Sequence, residues 1–221
     1  MTADELRRKL AVYLVADPEA TETALVDAVQ EALEGGATMV QLRAKNLGGY
    51  DLHRRAAQLK FLCHQYDALF VVNDRLDIAL AAGADGVHLG ASDLPVDVAR
   101  GLAPAGFVIG FSPKTLDDVA AAAQLGADYV GLGPVFPTGS KSDAQPPIGI
   151  AGLRRQIEIA RLPAVGIGGI TVANAAEVVA TGVDGVAVIS AILGAADVAV
   201  ATADLAAAVA SGLAERSGPG R

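Results

Sequence analysis

The sequence predicts an α/β protein built as a closed (β/α)₈ barrel, and three observations support this fold class. Eight short, apolar, β-branched runs alternate with longer stretches of helical periodicity along the 221 residues. The runs contain little polar alternation, which is typical of strands buried on both faces of a parallel sheet. A loose repeat marks the passage from helix to strand. Together these features favour a parallel eight-stranded TIM barrel with outer helices over an open sheet.

The predicted strands are spaced so that a helix fits between successive strands. They are Ala11–Ala16, Met39–Arg43, Leu69–Asn73, Gly86–Leu89, Val108–Ser112, Tyr129–Leu132, Ala164–Ile167 and Gly185–Ile189. Helical patterns between them include Thr21–Glu34, Leu52–Gln65, Thr115–Gln124 and Thr171–Ala180. No linker-like composition interrupts the pattern, so we expect one domain over residues 1–221, with a flexible tail from about residue 213 to residue 221.

The repeat places an acidic residue at the start of three strands. Its copies read GADGV, GADYV and GVDGV and contain Asp85, Asp128 and Asp184, and a looser copy, GATMV, begins at Gly36. The first glycine of each copy suits a helix stop, because glycine adopts left-handed backbone without penalty. The amino ends of barrel strands form the face that serves stability, so we predict a structural role for these aspartates.

Composition and charge exclude several classes of function. The formal net charge is −8, and Cys63 is the one cysteine. An acidic chain repels nucleic acid and anionic membranes at long range. A single cysteine forms no internal disulfide and is typical of a reducing compartment. With no secretory signal pattern and no apolar run judged long enough for a bilayer, we predict a cytoplasmic protein with no nucleic-acid or membrane partner. A homo-oligomer stays open.

The second predicted strand continues into alternating polar and apolar residues. Gln41, Arg43 and Lys45 share one face, while Leu42 and Ala44 point the other way. Two cations held close together in a cavity repel each other and lose hydration unless an anion neutralises them. The pattern therefore predicts an anion site at the barrel mouth, with a surface strand of ion pairs as the alternative.

Two aspartates follow the third and fourth strands. Asp74 comes directly after Asn73, and Asp93 lies in the segment after Leu89. The carboxyl ends of adjacent barrel strands share one rim, so the two carboxylates would lie close together. Two carboxylates beside a diphosphate form a usual magnesium site, completed by water and phosphate oxygens. The alternative is that Asp74 caps a turn and pairs with Arg75, while Asp93 initiates the next helix.

The last three strands end in glycine-rich or hydroxyl-bearing segments. GPVFPTGSK spans residues 133–141, GIGGI spans 166–170, and Ile189-Ser190 ends the eighth strand. Small residues let a backbone approach a ligand, and hydroxyl and lysine groups bind phosphate. Glycine turns after strands seven and eight are the usual phosphate site of this fold. We therefore predict a second anion site, distinct from the cationic one, for a phosphomonoester.

The histidines show no pattern of metal ligands or of an activated nucleophile. His88 lies alone on the fourth strand and is predicted to be a hydrogen-bonded barrel residue, whereas His53 and His64 fall on the surface of a helix.

In this order, the motifs resemble those of the thiamine-phosphate synthase family. They are QLRAK (41–45), VNDR (72–75), GADGVHLGASD (83–93), GFS (110–112), GPVFPTGSK (133–141), GIGGI (166–170) and VAVIS (186–190). The resemblance extends from about Tyr13 to Ile192. It implies a TIM barrel that uses Mg²⁺ to join an aminopyrimidine methyl diphosphate to a thiazole phosphate, or its carboxylated form, with release of pyrophosphate. A dissociative carbocation route is implied as well, and the chain offers no visible Ser-His-Asp set or activated cysteine against it.

The resemblance also assigns residues to each ligand. The pyrimidine diphosphate would be held by Gln41, Leu42, Arg43, Ala44, Lys45, Asn73, Ser112 and Lys141. Four of these, Arg43, Lys45, Ser112 and Lys141, would be catalytic. Asp74 and Asp93 would hold Mg²⁺. The thiazole phosphate would be held by Thr138, Gly139, Ser140, Gly168, Gly169, Ile189 and Ser190. The chain departs from common family motifs at Ala91, where many members have Gln, and at Lys114, where many have His.

Two other functions compete with this interpretation. A thiazole tautomerase-like isomerase, the paralogue of the family, would keep the phosphate site but would not need the metal site. A non-catalytic phosphate-ligand-binding barrel would need neither metal nor leaving-group stabilisation. The joint presence of Asp74, Asp93, Arg43, Lys45 and Lys141 favours the synthase over both.

Overall fold

A computed structural model of the chain describes residues 1–21, 24–139 and 145–217, and it contains the predicted barrel. Eight parallel strands pair in sequence order, and β1 pairs with β8 to close the barrel. The strands are β1 (Val12–Ala16), β2 (Met39–Leu42), β3 (Leu69–Asn73), β4 (Gly86–Gly90), β5 (Val108–Ser112), β6 (Tyr129–Leu132), β7 (Ala164–Ile167) and β8 (Gly185–Val188). The predicted strand limits agree to within one residue, because the runs of buried β-branched residues end where the strands end.

Helices connect the strands around the outside of the barrel. They are α1 (Ala3–Lys9), α2 (Leu25–Glu34), α3 (Gly49–Gln65), α4 (Leu76–Ala81), α5 (Val96–Leu102), α6 (Leu116–Leu125), α7 (Gly149–Ile159), α8 (Val172–Val179), α9 (Ser190–Leu193) and α10 (Val198–Ser217). The predicted start of the second helix at Thr21 was too early, because a 3₁₀ turn over Pro18–Ala20 follows β1 and α2 begins only at Leu25.

The last helix corrects two expectations. A flexible tail was predicted from about residue 213, whereas α10 continues to Ser217. Arg216 donates hydrogen bonds to the carbonyl oxygens of Gly182 and Val183. The second expectation was that no apolar run is long enough for a bilayer. By length and composition, however, α10 could cross a membrane. It nevertheless buries one stripe at helical spacing against the barrel. It packs against α8 and α2 and thereby completes the outer ring.

The amino ends of the strands are tied together by the repeated aspartates. The Asp184 carboxylate accepts a hydrogen bond from the Ala164 N–H at 2.9 Å, and the Asp184 N–H donates to the Ala164 carbonyl at 2.7 Å. One residue of the preceding strand is therefore held at both of its backbone groups. The same double contact joins Asp85 to Phe70, Asp128 to Ile109 and, through a hydroxyl, Thr38 to Val12. The predicted structural role of the repeat is confirmed.

Loss of one such contact should lower stability without affecting chemistry. The buried Asp184 carboxylate also pairs with Arg7 at 2.8 Å, so Asp184→Ala leaves a backbone N–H and a guanidinium without their acceptor. We expect the free energy of unfolding to fall by about 2–4 kcal/mol in denaturant titrations. Asp184→Asn keeps one acceptor and should lose about half as much.

The matched control is Asp117→Ala, an exposed carboxylate in the first turn of α6, which should change stability by less than about 0.5 kcal/mol. Turnover by the folded Asp184 variants should stay near wild type, because Asp184 lies at the face opposite the strand carboxyl ends. A stability loss equal to that of the control would contradict the structural role.

Candidate active site

A cavity of about 460 Å³ opens at the carboxyl ends of the strands. This is the end at which barrels of this class place their reactive groups. The seven segments that follow β2 to β8 all contribute to its wall. Among the predicted site residues, the wall contains Arg43, Lys45, Asn73, Asp74, Asp93, Ser112, Thr138, Gly168, Gly169, Ile189 and Ser190.

Some predicted residues lie elsewhere. Gln41, Leu42, Ala44 and Gly139 are outside the cavity wall as the described residues define it. Gln41 and Leu42 are buried in the barrel, whereas Gly139 is exposed in the segment after β6. Ser140 and Lys141 fall outside the described residues. The ligand roles of these six residues, like those of the residues in the cavity wall, stay predictions.

A tight turn directs Asp74 into the cavity. Asp74 adopts a left-handed backbone conformation with φ of 62°, and the Arg75 N–H donates across it to the Asn73 carbonyl at 2.7 Å. This i to i+2 bond is that of a γ-turn, which is strained for a residue with a side chain at positive φ, at a cost of about 1–3 kcal/mol. The Asp74 N–H also donates to the His88 carbonyl at 2.9 Å. The strained conformation is thereby held against the neighbouring strand.

Asp93 folds back onto the end of β4. Its carboxylate accepts a hydrogen bond from the Gly90 N–H at 2.7 Å, and α5 begins only three residues further on. The alternative that Asp93 initiates a helix is therefore wrong. Arg75 pairs with Asp77 at 2.6 Å, so its predicted alternative partner, Asp74, is left for the cavity.

The Asp93 carboxylate perturbs Asp74. Burial and the Asp93 carboxylate, which lies within hydrogen-bonding reach, together raise the pKa of Asp74 to about 6, against the opposing charges of Lys45 and Arg43. A proton or a cation between two half-buried carboxylates relieves their repulsion. The geometry therefore favours a cation at this position of the rim.

Arg43 has an anionic partner within the protein. Its guanidinium is ion-paired with the Asp17 carboxylate, and the two side chains are only 11% and 9% exposed. Asp17 was not predicted as a site residue. It nevertheless comes directly after β1, and the predicted rim residues likewise follow the ends of their strands. The pair is buried, so the alternative of a surface ion-pair strand is wrong. Arg43 is held in place by Asp17 and still contributes to the cavity wall.

A chain of polar side chains crosses the barrel interior to the cavity. The Gln41 amide nitrogen donates to the Tyr13 hydroxyl, which is 2.8 Å from the Tyr129 hydroxyl. Tyr129 is 2.9 Å from Nδ1 of His88, and Nε2 of His88 is 2.8 Å from the Ser112 hydroxyl. The predicted role of His88 as a hydrogen-bonded barrel residue is confirmed. The tyrosines were not predicted, because a buried strand tyrosine looks like apolar filling.

The turn after β7 presents backbone amides to the opposite end of the cavity. Gly168 and Gly169 have φ of 97° and 63°, and neither N–H donates to another residue in the part of the chain that the structure describes. A side chain at either position would collide with the segment after β6: an added Cβ would lie 2.5 Å from Pro134 Cβ or Pro137 O. The glycines therefore serve both the packing of this segment and the exposure of two donors.

Comparison with known proteins identifies the family. A family model described as thiamine monophosphate synthase matches residues 12–192. The chain belongs to this family. It is 48% identical over 200 residues to the thiamine-phosphate synthase of Pyrococcus furiosus, covering 90% of this chain and 95% of the relative. The enzyme of Methanoculleus marisnigri is 51% identical over 189 residues, covering 86% and 90%.

Solved structures agree with this assignment. The thiamine phosphate pyrophosphorylase structure from Pyrococcus furiosus superposes with a TM-score of 0.86 at 46% identity, covering 94% of this chain and 99% of that one. A 3-hexulose-6-phosphate synthase structure, at 23% identity and a TM-score of 0.67, shares the barrel fold alone. The two departures from the motifs of the thiamine monophosphate synthase family, Ala91 and Lys114, both line the cavity.

The carboxylate pair predicts an unusual pH dependence of stability. The folded-state pKa of Asp74, about 6, lies above the ordinary 3.8, so its contribution to stability is fully present below about pH 4 and is lost as pH rises through about 6. In metal-free protein, Asp74→Asn should therefore be more stable than wild type by about 1 kcal/mol at neutral pH, a value reduced for partial exposure. Asparagine also tolerates the positive φ.

Thermal unfolding in a chelator across this pH range measures the difference. The Tm advantage of Asp74→Asn should vanish below about pH 4. Asp77→Asn is the control of opposite sign, because the Arg75 hydrogen bond holds the pKa of Asp77 below its ordinary value. A variant at Asp74 that is less stable at every pH would show that the carboxylates do not repel.

Proposed function

We propose that this protein is a thiamine-phosphate synthase that joins an aminopyrimidine methyl diphosphate to a thiazole phosphate. Family membership, with 48% and 51% identity to two such enzymes over most of the chain, supports the activity. The observation that carries the proposal within the structure is one cavity lined by Arg43, Lys45 and the carboxylate pair and also by the Gly168-Gly169 turn. We propose that these two parts of the wall are two anion sites.

The reaction exchanges one bond for another. The bond between the pyrimidine methylene carbon and the diphosphate oxygen breaks, and its electron pair leaves with pyrophosphate. A bond forms between the methylene carbon and the thiazole nitrogen, giving thiamine monophosphate. We propose that departure precedes attack, through a carbocation stabilised by the pyrimidine ring. This order demands stabilisation of the leaving group more than a nucleophilic side chain.

The paired aspartates fit a divalent cation. We propose that Asp74 and Asp93 hold Mg²⁺, because both side chains line the cavity and the Asp93 carboxylate lies close enough to Asp74 to raise its pKa. No cluster of three or more His, Cys, Asp or Glu ligands occurs in the described ranges. Diphosphate and water oxygens would therefore supply the other ligands, as is usual for this ion. When bound, Mg²⁺ neutralises negative charge on the leaving diphosphate.

The side chains around this pair would bind and orient the diphosphate. Asp17 fixes the Arg43 guanidinium, so that it is preorganised to donate to phosphate oxygens without reorganisation. Lys45 adds a second positive charge beside Asp74, and Ser112 offers a hydroxyl. We keep Lys141 as a further predicted contact.

The other end of the cavity suits a phosphomonoester. Two backbone amides at Gly168 and Gly169 donate without a charged side chain, and Ser190 begins the short helix α9 beside them. Thr138 lines the same region from the segment after β6. We propose that this end holds the thiazole phosphate, which places the thiazole nitrogen toward the pyrimidine site. Both ligands are phosphorylated metabolites, and we propose that the protein acts on them in the cytoplasm.

Product formation tests the proposal directly. Purified protein with both substrates and Mg²⁺ should release one pyrophosphate for each thiamine monophosphate formed, and a chelator should abolish both. Asp93→Asn should need much more Mg²⁺ for half-maximal turnover, because the site loses one of two charged ligands. Isomerisation of a thiazole phosphate without pyrophosphate release would show a tautomerase, and binding without turnover would show a non-catalytic barrel.

A neutral replacement of the Arg43–Asp17 ion pair tests the division into two sites. Arg43→Ala alone would leave the buried Asp17 carboxylate unpaired, so the informative variant is Arg43→Gln with Asp17→Asn. We expect affinity for the pyrimidine diphosphate to fall about tenfold or more, because a charge-assisted bond is worth about 1.5–3 kcal/mol. Turnover should fall too, since negative charge grows on the leaving group.

Ser190→Ala is the control at the other end. It should weaken the thiazole phosphate only mildly, about threefold, because the backbone donors remain. Separate titrations of each ligand give both affinities. Equal losses for the two ligands in either variant would show that the subsites are misassigned, and a change in KM alone would show that the Arg43 contact is the same in ground and transition states.

A further inference from the structure

The hydrogen bonds of the polar chain through the barrel interior run from donor to acceptor in one direction. This direction determines whether the Ser112 hydroxyl donates to a ligand or accepts from it. We propose that Tyr129 and His88 are positioning residues that hold the Ser112 hydroxyl as a hydrogen-bond donor aimed into the cavity. The kinetic part of this inference rests on the proposed function. The geometric part rests on the four consecutive hydrogen bonds that link Gln41 to Ser112.

The direction follows from counting protons. The Gln41 amide nitrogen can only donate, so the Tyr13 oxygen accepts this hydrogen bond. Either hydroxyl could donate between the two tyrosines, and we infer that Tyr13 donates to the Tyr129 oxygen because its proton has no other acceptor in the chain of hydrogen bonds. Tyr129 must then donate to Nδ1 of His88, which needs a lone pair there. The proton of the neutral imidazole is therefore on Nε2, and it is donated to the Ser112 oxygen. The Ser112 proton is left to point away from His88.

Burial keeps this arrangement fixed. Tyr13 and Tyr129 are 1% and 0% exposed, and burial raises the pKa of both phenols, so each hydroxyl retains its proton. The interior has no spare room beside the chain, because a Cβ on Gly110 would lie 2.2 Å from Tyr129 Cζ and 2.4 Å from His88 Nδ1. Hydrogen bonds in such a dry, packed interior are costly to break.

The orientation of the Ser112 hydroxyl matters because Ser112 lies in the cavity wall. Ser112 is partly exposed there, whereas a serine without a fixed donor would rotate its hydroxyl freely. With His88 donating to its oxygen, the Ser112 proton is available to a phosphate oxygen, and the hydroxyl is polarised in the same direction. Tyr129, which is wholly buried, thus acts on the ligand only through His88 and Ser112 in the cavity wall.

A matched pair of tyrosine substitutions tests this role. Tyr129→Phe removes the donor to His88, and we expect turnover to fall about tenfold. Tyr13→Phe removes an equally buried hydroxyl, but Tyr129 can still donate to His88, so turnover should stay within about twofold of wild type. In a Ser112→Ala background, Tyr129→Phe should cost less than about twofold, since its effect is transmitted through Ser112.

The alternative outcomes are distinct. Losses that multiply in the double variant, or equal losses for the two tyrosines, would show that Tyr129 serves stability alone and would overturn the inference. A wild-type protein that forms no thiamine monophosphate would refute the proposed function instead, and the following measurement would still test the direction of the chain.

Nitrogen NMR of histidine-labelled protein needs no activity. The chain has three histidines, so single substitutions of His53 and His64 assign the His88 signals. At about pH 8 the His88 signals should be those of the Nε2–H tautomer. Tyr129→Phe should mix the tautomers and Tyr13→Phe should not. An Nδ1–H tautomer or an imidazolium in the wild type would overturn the proposal.

Discussion

Fixed register between neighbouring strands is the constraint on which the rest of the structure depends. A barrel closes only when every strand keeps its stagger, and a slip of one residue would turn each inward side chain outward. The repeated aspartates meet this constraint because each holds both backbone groups of one residue on the preceding strand, as Asp184 holds Ala164. With the amino ends fixed, the carboxyl ends can bring Asp74, Asp93 and Arg43 to one rim.

The rim contains backbone conformations that most residues avoid. Asp74 combines a strained backbone with a raised pKa, whereas Gly168 and Gly169 adopt, without that strain, the left-handed conformations that pack them below the segment after β6. The free energy that Asp74 costs is offset by the buried core and by the contacts of the opposite face. The separation of the two faces explains how one chain combines a tightly fixed framework with a rim that holds a strained, half-buried carboxylate.

Features that depend on local or periodic patterns could be predicted from the sequence. Contacts between residues far apart in the chain could not. Strand limits followed from buried β-branched runs, and the rim position of Asp74 and Asp93 followed from their place after β3 and β4. The Arg43–Asp17 pair joins the end of β2 to the end of β1, and the sequence around neither residue indicates which residue it pairs with. The helical continuation of the chain beyond residue 213 was not predicted for a similar reason, because Arg216 is held by carbonyls of the segment before β8.

The barrel interior shows why core and site cannot be separated in this protein. Barrels of this class are commonly filled by branched aliphatic side chains, which form no hydrogen bonds with residues at the rim. Here Tyr13, Gln41, Tyr129 and His88 fill the centre, and each polar group must find a partner because it is shielded from water. The chain of partners ends in the cavity wall, where His88 and Ser112 lie side by side. The need to satisfy buried hydrogen bonds therefore extends the site into the core, and Gly110 is restricted to glycine by the same residues that orient Ser112.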